Sequence, residues 1–179
     1  LFEEYVIPYL RGRQEDVLYS HMIKICGIGE SAVETEILDL IDAQTNPTLA
    51  TYAKTGEVHL RVTAKAKNEE EALQLMAPVE EELKKRFGNH IYTMEEEVTL
   101  EQAVVDMMKE RNLYLTTAES CTGGAVASRI VNVPGASEVL GQGIVTYSNE
   151  AKQRYLSVRE ETLANYGAVS AETAREMAE

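Results

Sequence analysis

Thr117-Ala118-Glu119-Ser120-Cys121-Thr122-Gly123-Gly124 is the stretch that decides how this chain is read. Leu113 to Leu115, rich in apolar residues, stands before it, and Ala125-Val126-Ala127-Ser128-Arg129-Ile130-Val131 follows. The order predicts a strand over Leu113 to Thr117, a tight glycine-containing turn and a helix over Ala125 to Val131. A hydroxyl and a thiol sit at the turn. A helix N-terminus offers unpaired backbone N–H groups and the positive end of the dipole, which suit an anion or oxyanion. Nucleophiles on such turns recur in hydrolases. The local pattern fits a plain helix N-cap at Ser120-Cys121-Thr122 equally well. Cys121 alone fits a small buried hydrophobe better than a reactive thiol.

Outward from this stretch the chain alternates helices and strands. Thr99-Leu100-Glu101-Gln102 reads as a capping box, followed by an apolar face of Leu100, Ala103, Val104, Met107 and Met108. Pro134-Gly135 reads as a turn, Gly143 to Tyr147 as a short strand, and Asn149 as the cap of a helix ending at Leu156. Residues 171–179 read as the opening of another helix. This alternation predicts a parallel or mixed α/β sheet.

Glu95-Glu96-Glu97 is the expected joint, which divides the chain into residues 1–94 and 95–179. Before it, Val17 to Cys26 is rich in β-formers. Ser31-Ala32-Val33-Glu34 fits a capping box, with Val33, Ile37, Leu40 and Ile41 at helical spacing. Val58, Leu60, Val62 and Ala64 alternate with polar residues, and Thr51 to Lys54 pairs with them as a hairpin across Thr55-Gly56-Glu57. Asn68 caps a long helix with Leu73, Met76, Val79, Leu83 and Phe87 on one face and Gly88 beyond its end. Pro78 inside that helix should kink or break it. With Ile91 to Thr93 as a last strand, the order is close to β-α-β-β-α-β, a small α+β layer domain.

The 179 residues, 44% of them hydrophobic, have room for one large domain or two small ones. No apolar run reaches the roughly 20 residues that span a bilayer. The chain opens Leu1-Phe2-Glu3-Glu4, acidic where a signal peptide is basic and lacking an initial Met, as in a segment of a longer polypeptide. Two distant cysteines, Cys26 and Cys121, give no disulfide framework and fit a reducing cytoplasm. The net charge of −13 argues against a nucleic-acid partner. Neither half is basic: 10 basic residues face 16 acidic ones through Met94, and 7 face 14 after it.

Elimination narrows the chemistry. His21, His59 and His90 all precede the joint, so a Ser-His-Asp triad within the second half is excluded. The Cys and His inventory there leaves no zinc site either. If Ser120 is a nucleophile, its base must be of another kind, and Ser-Lys pairs are a known variant. The second half holds two lysines. Lys109 lies opposite the apolar face of its helix and reads as solvated. Lys152 starts a helix directly after a strand end, where α/β sheets place their ligands, and is the better candidate. A lysine base must be neutral, which calls for burial or a neighbouring cation. Tyr147, at the strand end, is placed to relay a proton or hold the lysine. Thr122, Gly123 and Gly124 offer backbone N–H groups for an oxyanion or a phosphate. Taken singly, Tyr147 is a packed aromatic, Lys152 a solvated charge and Asn149 a cap. Glu119 reads as either a structural carboxylate or a substrate contact.

Together TAESCTGG, the NVPGAS turn, GQGIVTYSNEAK and YGAVSAETAREMAE resemble the C-terminal domain of the CinA family, itself similar to the stand-alone PncC enzymes, nicotinamide mononucleotide deamidases. The resemblance implies hydrolysis of the carboxamide of nicotinamide mononucleotide to nicotinic acid mononucleotide and ammonia, with no cofactor and no metal. It sets the family's catalytic serine, tyrosine and lysine on Ser120, Tyr147 and Lys152; Cys121, Thr122, Gly123, Gly124 and Asn149 are the residues expected around the substrate or oxyanion. CGIGES and TNPTLATYAKTGEVHLRVTAKA resemble the KH-type middle region of multidomain CinA proteins. Nucleic-acid-binding KH domains use a Gly-x-x-Gly loop. Here Gly27-Ile28-Gly29-Glu30 puts a carboxylate where a phosphate would approach, so this part reads as a spacer or oligomerisation element of a homo-oligomer. The family's N-terminal domain is absent from the sequence, and the C-terminal domain reads as truncated after Glu179. The competing reading is a non-catalytic interaction or nucleic-acid-binding module linked to DNA uptake.

Overall fold

The computed structural model describes residues 1–13 and 16–179 and divides into two compact units, Leu1–Val98 and Thr99–Glu179. In the first, a π-helical turn, Phe2–Val6, runs into the short helix α1 (Ile7–Arg11), which the sequence pattern had not marked. The core lies on a four-stranded antiparallel sheet of β1 (Val17–Cys26), β2 (Thr48–Lys54), β3 (Glu57–Ala66) and β4 (Ile91–Thr93), ordered β2-β3-β1-β4. Strict alternation on β3 buries Val58, Leu60, Val62, Ala64 and Ala66 on one face. The expected hairpin forms with Lys54 opposite Glu57, so Thr55 and Gly56 alone make the turn and Gly56 takes φ 79°.

Against this face lie α2 (Glu30–Glu36), α3 (Leu38–Ala43) and α4 (Glu69–Phe87). Ser31 does not cap α2. Gly29 adopts the extended cap conformation, so the helix begins at Glu30, two residues earlier than the box implied. Val33 and Ile37 are buried as their spacing predicts, although the helix breaks at Ile37 between α2 and α3. Asn68 caps α4 by accepting from the Glu71 N–H. Pro78 does not break α4, which runs through all 19 residues. Pro78 and Gln74, whose carbonyl loses its i+4 donor, both lie on the exposed side, where water can replace that bond. Leu73 is exposed too, and Ala72 takes the core position beside Met76, Leu83 and Phe87.

The second unit is built on two parallel strands, β5 (Leu115–Glu119) and β6 (Leu140–Val145). They are linked by α6 (Ala125–Val131) and a 3-10 turn, Ala136–Glu138. Helix α5 (Leu100–Glu110) precedes them; α7 (Asn149–Leu156), α8 (Glu160–Tyr166) and α9 (Ala171–Ala178) follow. Thr99 caps α5 through the Gln102 N–H, whereas the Gln102 side chain turns to Asp106 and leaves the reciprocal half of the box unmade. The predicted Val104 and Met108 pack partly buried against the core, whereas the buried centre of α5 is Val105 and Met107 faces outward. β5 starts two residues later than predicted because Leu113 and Tyr114 are exposed, and β6 starts earlier, at Leu140. One apolar cluster joins Val105, Ile130, Val133, Ala136 and Val139; a second joins Val158, Leu163 and Met177. No helix among the described residues is long and apolar enough to cross a membrane.

Candidate active site

β5 ends at Glu119, and the parallel pairing runs one step further: the Thr146 N–H donates to the Glu119 carbonyl at 2.8 Å. Ser120 and Tyr147 therefore leave adjacent strand ends side by side. After Ser120 the chain turns sharply, with the Gly123 N–H donating to the Ser120 carbonyl and Gly123 and Gly124 at φ 60° and 96°. Only glycine adopts such angles readily. After Tyr147, Ser148 caps α7 by accepting from the Ala151 N–H. Asn149, the predicted cap, is the first helical residue instead. Both residue types cap well, and the extended backbone of Ser148 decides between them.

Lys152 lies one turn into α7 and is completely buried. Its Nζ is 2.8 Å from Ser120 Oγ, 2.7 Å from the Thr146 carbonyl and 3.2 Å from the Tyr147 carbonyl. No carboxylate pairs with it among the described residues. An ammonium would donate to all three acceptors. A neutral amine would donate to the two carbonyls and turn its lone pair to the Ser120 hydroxyl proton, the arrangement a general base needs. Lys109, by contrast, pairs with Glu138 at 2.8 Å at the surface.

The other predicted residues divide. Tyr147 is 74% exposed and contributes only its carbonyl to the lysine; its hydroxyl is not brought to the pair. Cys121 is an exposed thiol, against the buried hydrophobe that its type favoured. Thr122 Oγ1 donates to Glu119, and the Gly123 N–H is used within the turn. The N–H groups of Cys121, Thr122 and Gly124 have no hydrogen-bond partner among the described residues.

Sequence reasoning left Glu119 undecided, and it proves central to the turn. Its carboxylate is buried and accepts from Thr122 Oγ1 at 2.7 Å, the Val126 N–H at 3.0 Å and the Ala127 N–H at 2.8 Å. The Ala127 N–H bond, ahead of those from Thr122 and Val126, holds its pKa below the ordinary carboxylate value in spite of burial. The positive end of α6 is thus filled by an internal carboxylate, not open to an external anion as the sequence suggested. The signal that could have revealed this is alternation. Thr117 and Glu119 share the buried face of β5, and a carboxylate on such a face needs donors. Among the described residues, no three His, Cys, Asp or Glu side chains are grouped to hold a metal ion.

Comparison with known proteins covers both units. Residues 20–93 match the damage-inducible protein CinA KH domain, and residues 97–179 match the CinA C-terminal domain. A Clostridium beijerinckii protein described as competence-damage inducible is 55% identical over 178 residues, covering 99% of this chain and 43% of that protein. A CinA-like protein of Dictyoglomus turgidum is 49% identical over 179 residues, covering all of this chain and 43% of that protein. The chain thus spans less than half the length of these relatives. Among solved structures, the competence/damage inducible protein CihA from Agrobacterium tumefaciens is 43% identical, with a TM-score of 0.43, over 44% of this chain and 48% of that one. With a KH domain followed by a CinA C-terminal domain, the chain belongs to the CinA family.

Proposed function

We propose that the second unit is an amidohydrolase acting on nicotinamide mononucleotide, with Ser120 as nucleophile and Lys152 as its base. The observation that carries this reading is the 2.8 Å contact between a serine at a strand-to-helix turn and a fully buried lysine that has no carboxylate partner among the described residues. In the reaction, Ser120 Oγ bonds to the carboxamide carbon while its proton passes to Lys152 Nζ. Collapse of the tetrahedral intermediate breaks the C–N bond, and Lys152 returns the proton to the leaving ammonia. Water, deprotonated by Lys152, then cleaves the acyl-enzyme, releasing nicotinic acid mononucleotide and restoring Ser120. The unpartnered N–H groups of Cys121 and Thr122 are the donors best placed in sequence for the oxyanion. Tyr147 assists only if its ring turns inward on substrate binding. The substrate phosphate is held away from the α6 N-terminus, because Glu119 occupies the Val126 and Ala127 amides.

Ammonia release from nicotinamide mononucleotide by the intact protein and its Ser120→Ala variant tests the reading. Release by the protein and its loss in the variant support it. Undiminished release by the variant removes Ser120 as nucleophile and moves Cys121 forward. For the first unit we propose a spacer or assembly role, since Glu30 follows directly on Gly29 at the start of α2. A single-stranded RNA that shifts at low salt would contradict that role.

A further inference from the structure

We infer that Glu119 is the positioning residue for the Ser120 nucleophile: its buried carboxylate ties the turn to α6 and so fixes where Ser120 Oγ meets Lys152 Nζ. The inference rests on the Ser-Lys reading and adds to it a residue that does not touch the reacting atoms. Glu119 is anchored on both sides. Its carbonyl accepts from the Thr146 N–H, and the Thr146 carbonyl in turn accepts from Lys152 Nζ. Its carboxylate holds Thr122 Oγ1 with one oxygen and two successive helix amides with both. Ser120 is the residue between these anchors. Its own carbonyl is taken by the Gly123 N–H, which leaves its backbone little freedom.

The bond pattern needs a charged carboxylate. Two oxygens accept three donors, and the two backbone N–H groups among them, of Val126 on one oxygen and of Ala127 on the other, cannot accept in return. A glutamine has one acceptor oxygen and an amide NH2, which in either orientation would confront the N–H of Val126 or of Ala127. Glu119→Gln therefore keeps the side-chain volume, loses at least one tie and loosens the turn. A displacement of about 1 Å at a reacting atom costs on the order of 100-fold in rate.

The test compares the intact protein with Glu119→Gln, Thr122→Val and Glu176→Gln. Steady-state ammonia release is measured together with the rate at which a sulfonyl fluoride modifies Ser120. Glu119→Gln is expected to lower kcat about 100-fold with KM within about twofold, and to slow Ser120 modification in parallel. Thr122→Val, which removes one tie, is expected to lower both rates less and in the same direction. It serves as the deciding variant if Glu119→Gln does not fold. Glu176→Gln loosens α9 from α8 without touching the turn and should leave the modification rate unchanged, which separates positioning from general destabilisation. An active parent with kcat in the deciding variant within twofold of it would overturn the inference while the Ser-Lys reading stands. A rise in KM at constant kcat would overturn it too, since that marks a substrate contact. A parent that neither releases ammonia nor is modified at Ser120 would overturn the Ser-Lys reading and the inference with it.

Discussion

Ser120 and Lys152 are 32 positions apart in the chain, and their Oγ and Nζ atoms lie 2.8 Å apart. The parallel register produces this. Glu119 stands opposite Val145, the next step ties Thr146 to Glu119, and α7 then folds Lys152 back over the two strand ends. Ligands of open α/β sheets gather at this carboxyl end of the strands.

Replacing Lys152 with Met should abolish catalysis while preserving the fold. Methionine fills the buried channel with similar length, and the two carbonyls lose only their donor. General-base removal is expected to lower kcat by about 10³-fold. Steady-state kinetics beside circular dichroism of the variant measure both effects.

Gly124→Ala should destabilise the second unit by about 1–3 kcal/mol, the cost of holding a non-glycine residue at a sparsely populated angle. A Cβ there would also meet Val145 Cγ2 at 3.3 Å, with φ at 96°. Gly167→Ala carries φ 77° but has open space, so it should cost less. Urea unfolding of the two variants tests the order.

Acid should weaken α8 and α9 through Glu176. The Arg159 guanidinium, then the Arg159 N–H and the Thr162 hydroxyl, hold its carboxyl at about 2 against an ordinary 4.5. A depressed carboxylate pKa contributes stability that is complete above 4.5 and is lost as pH falls toward about 2. Unfolding free energy measured between those limits should fall with acid, and Glu176→Gln should flatten part of that slope. The remaining slope has the same sign, because Glu119 is also held low, first by the Ala127 N–H.

Much of this architecture can be read from residue order, and the exceptions have physical causes. Alternation on β3 and the Asn68 cap are local signals that tertiary packing leaves intact. Ser120 and Lys152 were reachable by inventory, since the second half lacks histidine and has two lysines. On α5 the predicted Val104 and Met108 do pack on the apolar cluster, but its fully buried centre is Val105, which packing against Ile130 and Val139 selects over its chemically similar neighbour. Pro78 does not break α4 because its cost depends on whether the Gln74 carbonyl can reach water, a property of the folded state. The role of Glu119 stayed hidden because its donors are mostly backbone N–H groups, which carry no residue identity.

Lys24 offers a test in the first unit. It is buried on the face of β1 opposite Ile23 and Ile25, and its Nζ donates to the carbonyls of Glu96 and Val98 at 2.6 and 2.8 Å. Lys24→Met removes both bonds to the 95–98 segment. Each hydrogen bond to a charged group is worth about 1.5–3 kcal/mol. Proteolysis within residues 95–98 should accelerate, and an unchanged cleavage rate would show that Lys24 does not hold the segment.

The most direct test of the Ser-Lys account is the mass of the peptide carrying Ser120 and Cys121 after a reaction with nicotinamide mononucleotide is quenched during turnover. The account predicts an acyl adduct on Ser120 that is missing from the Ser120→Ala variant and fails to form in Lys152→Met. An adduct on Cys121, or full turnover by Ser120→Ala, would contradict it.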